Sequence, residues 1–211
     1  MVQRLALLGD SILDNKPYVA PEPDTATHLQ RSLVHSWIVD LLARDGSEMP
    51  DIRFQMDDLP AVPDLAILSI GGNDAINHIG LLEHRATTTT DLLDQLQSVA
   101  ETFGARYRQV LEGVLPRVNR LVVCTIYEPP LTDARTARLA RVPLTLLNDQ
   151  IVRTATALAL DVLDLRAVCT QPTDFVKEIE PSAVGARKIA EAIEALVRGS
   201  TPRSRTQLFA V

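Results

Sequence analysis

The sequence predicts an α/β fold, a three-layer α/β/α sandwich of flavodoxin-like type around a five-stranded, mostly parallel sheet. Three observations predict it. Five short apolar runs, Arg4–Leu8, Trp37–Leu42, Leu65–Ile70, Arg120–Ile126 and Asp161–Leu165, have the length and the branched aliphatic content of strands. Longer segments, notably Leu92–Leu115, Leu139–Leu158 and Ala183–Val197, carry apolar residues at helical spacing. Strands alternating with helices make βαβ units, whose right-handed crossovers build a parallel sheet.

Taken in order, the first run is stopped by Gly9 and leads through Asp10 to Ser11, at the expected start of a helix. The second follows a polar helix and turn holding His28 and His35, and ends at Asp45-Gly46-Ser47. The third ends at Gly71-Gly72-Asn73-Asp74, where Asp74 is expected to cap the next helix. The fourth leads to Glu128-Pro129-Pro130, a candidate pocket rim, and a last helix is expected to begin at Pro181. Residues 1–198 read as one domain, and 199–211, rich in Ser, Thr, Pro and Arg at its start, as a flexible C-terminal tail.

At 211 residues the chain has room for one sizeable core, and 46% hydrophobic with 23% charged residues is an ordinary globular balance. The net charge of −6 disfavours a nucleic-acid partner, which would need a basic face. No stretch has the roughly 18 uninterrupted apolar residues of a membrane span. With no signal-peptide pattern at Met1–Leu8 either, a cytoplasmic location is expected. Cys124 and Cys169 lack the spacing of a metal or redox site and read as buried thiols. Asp10 and Asp14 lie four apart with no third ligand, so no metal is expected, and no cofactor motif is present. Oligomeric state is not legible.

In open parallel sheets, ligands bind beyond the carboxyl ends of the strands, where the glycine-rich turns lie. A serine in the first turn can present its hydroxyl as a nucleophile and its own N–H to the site. An asparagine in the third supplies a neutral amide donor to a developing oxyanion, and Gly46 can add a backbone N–H. The bland alternatives are a helix cap for Ser11 and plain turns for the rest.

The segments Gly9-Asp10-Ser11-Ile12-Leu13-Asp14-Asn15 and Gly71-Gly72-Asn73-Asp74 resemble the first and third sequence blocks of the SGNH, or GDSL-type, hydrolases. The stretch from Glu180 to Ala190 resembles the surroundings of the fifth. The resemblance implies a serine esterase acting on a small-molecule ester, with Ser11 as nucleophile and Ser11, Gly46 and Asn73 as the oxyanion hole. It also implies a departure. The family's fifth block is Asp-x-x-His, and alignment on Pro181-Ser182 puts Lys177 at the aspartate and Glu180 at the histidine.

Three solutions stay open. Glu180 can be the base, although a carboxylate of reference pKa ~4.3 is less basic than imidazole at ~6.5. His78, five residues after Asn73 and expected one turn into the following helix, can face the same crevice. Or the fold is a catalytically silent domain that binds an acyl or acetylated ligand. His28, His35 and His84, the last in a charged cluster, are poorer candidates, and Glu178 reads as a solvated charge.

Overall fold

In the computed structural model, which describes residues 2–78 and 88–199, the chain runs β1 (Gln3–Gly9), α1 (Lys16–Val19), α2 (Thr25–Leu33), β2 (Trp37–Leu41), α3 (Ile52–Asp57), β3 (Leu65–Ser69), α4 (Gly72–Ile76), α5 (Thr89–Val114), β4 (Leu121–Cys124), α6 (Ala134–Ala157), β5 (Asp161–Leu163), α7 (Leu165–Val168), β6 (Phe175–Val176), β7 (Glu180–Pro181) and α8 (Ala183–Val197). His84 and the tail from residue 200 lie outside the described residues.

Strands β1 to β5 form one sheet in the order β2-β1-β3-β4-β5, every neighbouring pair parallel. Side chains alternate across a strand, and both faces here are apolar, as a sheet covered on both sides requires. Leu5 and Leu7 face a core closed by Leu29 and Leu33 of α2 and Ile189 and Ile193 of α8. Ala6 and Leu8 face the opposite core, with Ile52 and Met56 of α3, Phe103, Tyr107 and Leu111 of α5, and Leu147 and Ile151 of α6. Cys124 and Cys169 are buried free thiols.

Local chemistry sets the helix starts. Asp24 accepts from the Thr27 N–H at 2.8 Å, the Thr88 hydroxyl from the Asp91 N–H at 3.1 Å, and the Ser182 hydroxyl from the Val184 and Gly185 N–H groups at 3.2 Å. The last cap corrects an expectation. Pro181 pairs in the small antiparallel ladder β6–β7, and α8 begins only after Ser182, so Glu180 stands on a strand rather than at a helix start.

The strand order positions the site. From β1 the chain leaves to β2 on one side and returns to β3 on the other, so the turns after β1 and β3 diverge over a crevice. Gly9 is paired with Ser69 there, and the Asp10 N–H donates to the Ser69 carbonyl at 3.1 Å. Gly9 has φ +134°, and a methyl group on it would stand 1.8 Å from the Ser69 oxygen, so only glycine lets the strands approach so closely. The Gln55 side chain then brackets Gly9, accepting from its N–H and donating to its carbonyl, both at 2.8 Å.

Candidate active site

Ser11 does not begin a helix. The segment after Gly9 closes a single turn in which the Leu13 and Asp14 N–H groups donate to the Asp10 carbonyl at 3.1 and 3.0 Å. The Asp10 carboxylate takes the Ile12 N–H at 3.1 Å. A short acidic side chain bonding to the backbone two residues on competes with helix propagation, which is why the turn stops. Its donors are Ile12, Leu13 and Asp14, which leaves the Ser11 N–H outside the turn's own bonds. Ser11 itself is 8% exposed.

The turn after β3 is built differently. Gly71, at φ +111°, occupies the position before α4, and Asn73 sits in its first turn. Asp74 does not cap α4, because its carboxylate is taken by the Met49 N–H at 3.1 Å, from the loop after β2. The Asn73 amide donates to the Ser47 carbonyl at 2.8 Å, and Asn77 to Glu48 at 2.9 Å, so this loop is stitched along α4. An amide nitrogen carries two protons, and one bond to Ser47 leaves the other for a ligand. Gly46 lies in the same loop at φ +77°, exposed, with open space around its α-carbon.

A cavity of about 300 Å³ opens beyond these strand ends and is lined by Asp10, Ser11, Asn73, His78, Glu178 and Glu180 together. Its remaining wall is largely apolar, with Ile12, Val99, Ile126, Leu131, Leu144 and Leu147. Gly46 is not among its lining residues. His78 lies beyond the end of α4 rather than inside a helix, and is exposed. Glu128 and Pro129 form part of the rim, where Arg141 pairs with Glu128 at 3.2 Å. Among the described residues, no group of three or more His, Cys, Asp or Glu side chains is arranged to hold a metal ion, and no helix is long and apolar enough to cross a membrane.

Glu180 reaches the cavity because its hairpin is held at several points. The Tyr127 hydroxyl donates to the Ile179 carbonyl at 2.6 Å, and the Tyr127 ring meets Phe175 edge-on at 4.9 Å. Glu178 accepts from the Thr132 N–H at 3.1 Å and from its hydroxyl, so this exposed charge also tethers the rim. Lys177 lays its ammonium 4.8 Å from the Tyr18 ring centre. Lys177 and Glu178 both adopt left-handed backbone, φ +48° and +69°, at a cost of order 1–2 kcal/mol each. Such strain persists only where the surroundings fix it.

Burial raises the Glu180 carboxyl above the ordinary glutamate range; the adjacent Ser11 hydroxyl and the Lys177 ammonium act to lower it, and Asp45 to raise it. Its Oε2 is buried without a hydrogen-bond partner. Asp10, only 2% exposed, is pushed up to about 7, chiefly by burial and further by the charges of Glu180 and Asp74, against the pull of the Ile12 N–H. The arrangement is thus a serine hydroxyl sharing a cavity with a carboxylate that favours proton uptake, with an amide donor nearby and an apolar wall beside it. Sequence reasoning missed Asp10, whose signal is its burial in the folded protein.

The GDSL-like lipase/acylhydrolase family model matches residues 7–188. The fold resembles an extracellular lipase from Streptomyces rimosus, with TM-score 0.67 and 14% identity over 92% of this chain and 99% of that one. A phospholipase A1 from Streptomyces albidoflavus gives TM-score 0.67 and 17% identity over 92% and 99%. An acetylxylan esterase from Geobacillus stearothermophilus, solved as a catalytic mutant, gives 0.65 and 17% over 96% and 97%. At these identities the likeness is one of fold. No curated protein matches the sequence. The family match, spanning the strand-end turns, the cavity wall and the Glu180 hairpin alike, makes this chain a member of the GDSL-like lipase/acylhydrolase family.

Proposed function

We propose that the protein hydrolyses small-molecule carboxylic esters with Ser11 as nucleophile and Glu180, in place of a histidine, as base. The observation that carries this reading is that Ser11, Asn73 and Glu180 line one cavity, where the Ser11 hydroxyl is near enough to lower the Glu180 carboxyl. Ser11 Oγ bonds to the ester carbonyl carbon as its proton passes to Glu180, and the carbonyl electron pair becomes the oxyanion. The Ser11 N–H and the second Asn73 amide proton are the donors for that charge. Collapse expels the alkoxide, which takes the proton from Glu180. Water then attacks the acyl-serine, losing a proton to Glu180, and collapse releases the acid as Ser11 Oγ takes that proton back from Glu180. Gly46 is a third donor only if its exposed turn folds onto the substrate. The apolar wall suits the acyl portion.

The partial desolvation of Glu180 is central here, because a carboxylate in water is a poor match for a serine proton. His78 is the competing base, since it lines the same cavity. Purified protein should turn over short activated aryl esters and be labelled by a fluorophosphonate. Failure of both would favour a silent acyl-binding domain. Within this scheme Asn73→Ala should lower kcat by about a hundredfold with little change in KM, because the bond matters mainly in the transition state. An effect confined to KM would restrict Asn73 to substrate placement.

A further inference from the structure

The proposed reaction leaves Asp10 unused. Its carboxyl is buried in the cavity floor between the two turns of the site. Oδ1 is fixed by the Ile12 N–H at 3.1 Å, and Oδ2 lies against Gly72, where a methyl group would stand 3.5 Å from it. The ionisable groups around it are Glu180 from β7 and Asp74 from α4, both acidic, with the Cys124 thiol from β4 and the Tyr127 phenol beyond it. Of the cavity's other ionisable groups, Arg141 is paired with Glu128, Glu178 is held by Thr132, and His78 is exposed.

We infer that Asp10 is a proton-holding residue of this site: Ser11 reacts only while Asp10 is protonated, and ester turnover is lost on the alkaline side as Asp10 ionises. The inference rests on the proposed Ser11–Glu180 reaction and deepens it. Attack on the ester moves one negative charge from Glu180 to the oxyanion. With Asp10 neutral, the site carries one charge from that pair throughout. With Asp10 ionised it carries two, and the second lies against Gly72, beside Asn73, where the new charge must form. An ionised Asp10 would also make Glu180 more basic. In the proposed reaction Asn73 serves the oxyanion, so a charge against its turn repels the one that forms there, and the apolar cavity wall strengthens that repulsion. Two nearby carboxyls lose their protons in separate steps. Burial, with Glu180 and Asp74 nearby, sets the Asp10 step at about 7.

The test is the pH dependence of aryl-ester kcat/KM and of fluorophosphonate labelling at Ser11, in wild type and in Asp10→Asn. Asparagine keeps the acceptor for the Ile12 N–H and stays neutral. Wild type should rise as Glu180 ionises and fall about tenfold per pH unit above neutrality. Asp10→Asn should keep the rise and lose the fall. A wild type with no loss between pH 6 and 9, or an Asp10→Asn variant that keeps the loss, overturns the role of Asp10 while leaving the esterase reading intact. No labelling at any pH defeats both.

Thermal unfolding gives a second readout that does not depend on turnover. A carboxyl whose folded pKa is raised holds a proton that the unfolded chain releases. Its stabilisation is therefore full below the ordinary aspartate range and is lost as pH rises through about 7. The wild-type Tm should be lower at pH 8.5 than at pH 6, and in Asp10→Asn the difference should shrink. If Asp10→Asn does not fold, the wild-type labelling and Tm profiles decide alone: flat profiles from pH 6 to 9 overturn the inference.

Discussion

Ser11→Ala is expected to reduce ester turnover to the level of buffer, a fall of about a thousandfold or more, with the fold intact. In an enzyme with a strong base, loss of the serine costs about a millionfold; a carboxylate base activates serine less, so the total at stake here is smaller. The hydroxyl is not a structural tie. Gly9, Asp10 and the bonds to the Asp10 carbonyl and carboxylate hold the turn without it. What the variant removes is one of the two groups that lower the Glu180 carboxyl, the other being the Lys177 ammonium, so Glu180 should ionise at still higher pH. Undiminished turnover, measured beside an unchanged Tm, would take Ser11 out of the reaction.

Glu180→Gln is expected to lower kcat/KM by about a hundred- to ten-thousandfold, the range general-base removal commonly costs. Glutamine fills the same space and cannot take a proton. In wild type the acid limb should follow Glu180. Its carboxyl is raised by burial first and by Asp45, so activity appears above the ordinary glutamate range and is lost as pH falls through the raised value. Glu180→His should move that limb to about pH 6–7, where imidazole titrates. His78→Ala should stay within about threefold of wild type, because His78 is exposed beyond α4 while the Ser11 hydroxyl acts on Glu180. The reverse pattern, with loss in His78→Ala and retention in Glu180→Gln, would make the histidine the base.

Much of the fold was legible because its signals are local. The inner strands β1, β3 and β4 alternate their side chains between two cores, and Gly9 and Gly71 follow their apolar runs at the expected places. The helix expected at Ser11 was wrong because one Asp10 oxygen competes for the Ile12 N–H, which hydrophobic spacing does not reveal. The expected Asp74 cap failed for a tertiary reason: Met49, 25 residues earlier in the chain, takes the carboxylate. The β6–β7 ladder is two residues per strand, too short for any periodicity to register. Of the site, the convergence of Ser11, Asn73 and Glu180 was readable from ordered motifs. The tethering role of Glu178 and the perturbed Asp10 were not, since Thr132 and the buried acidic surroundings meet them only after folding.

The most direct test of the central claim, a serine activated by a glutamate, is the rate at which a fluorophosphonate labels the protein at neutral pH, with the adduct located by peptide mapping. The account predicts one adduct on Ser11, forming at nearly the same rate in His78→Ala, about a hundredfold or more slowly in Glu180→Gln, and not at all in Ser11→Ala. An adduct on another serine, or equal rates in wild type and Glu180→Gln, would contradict it.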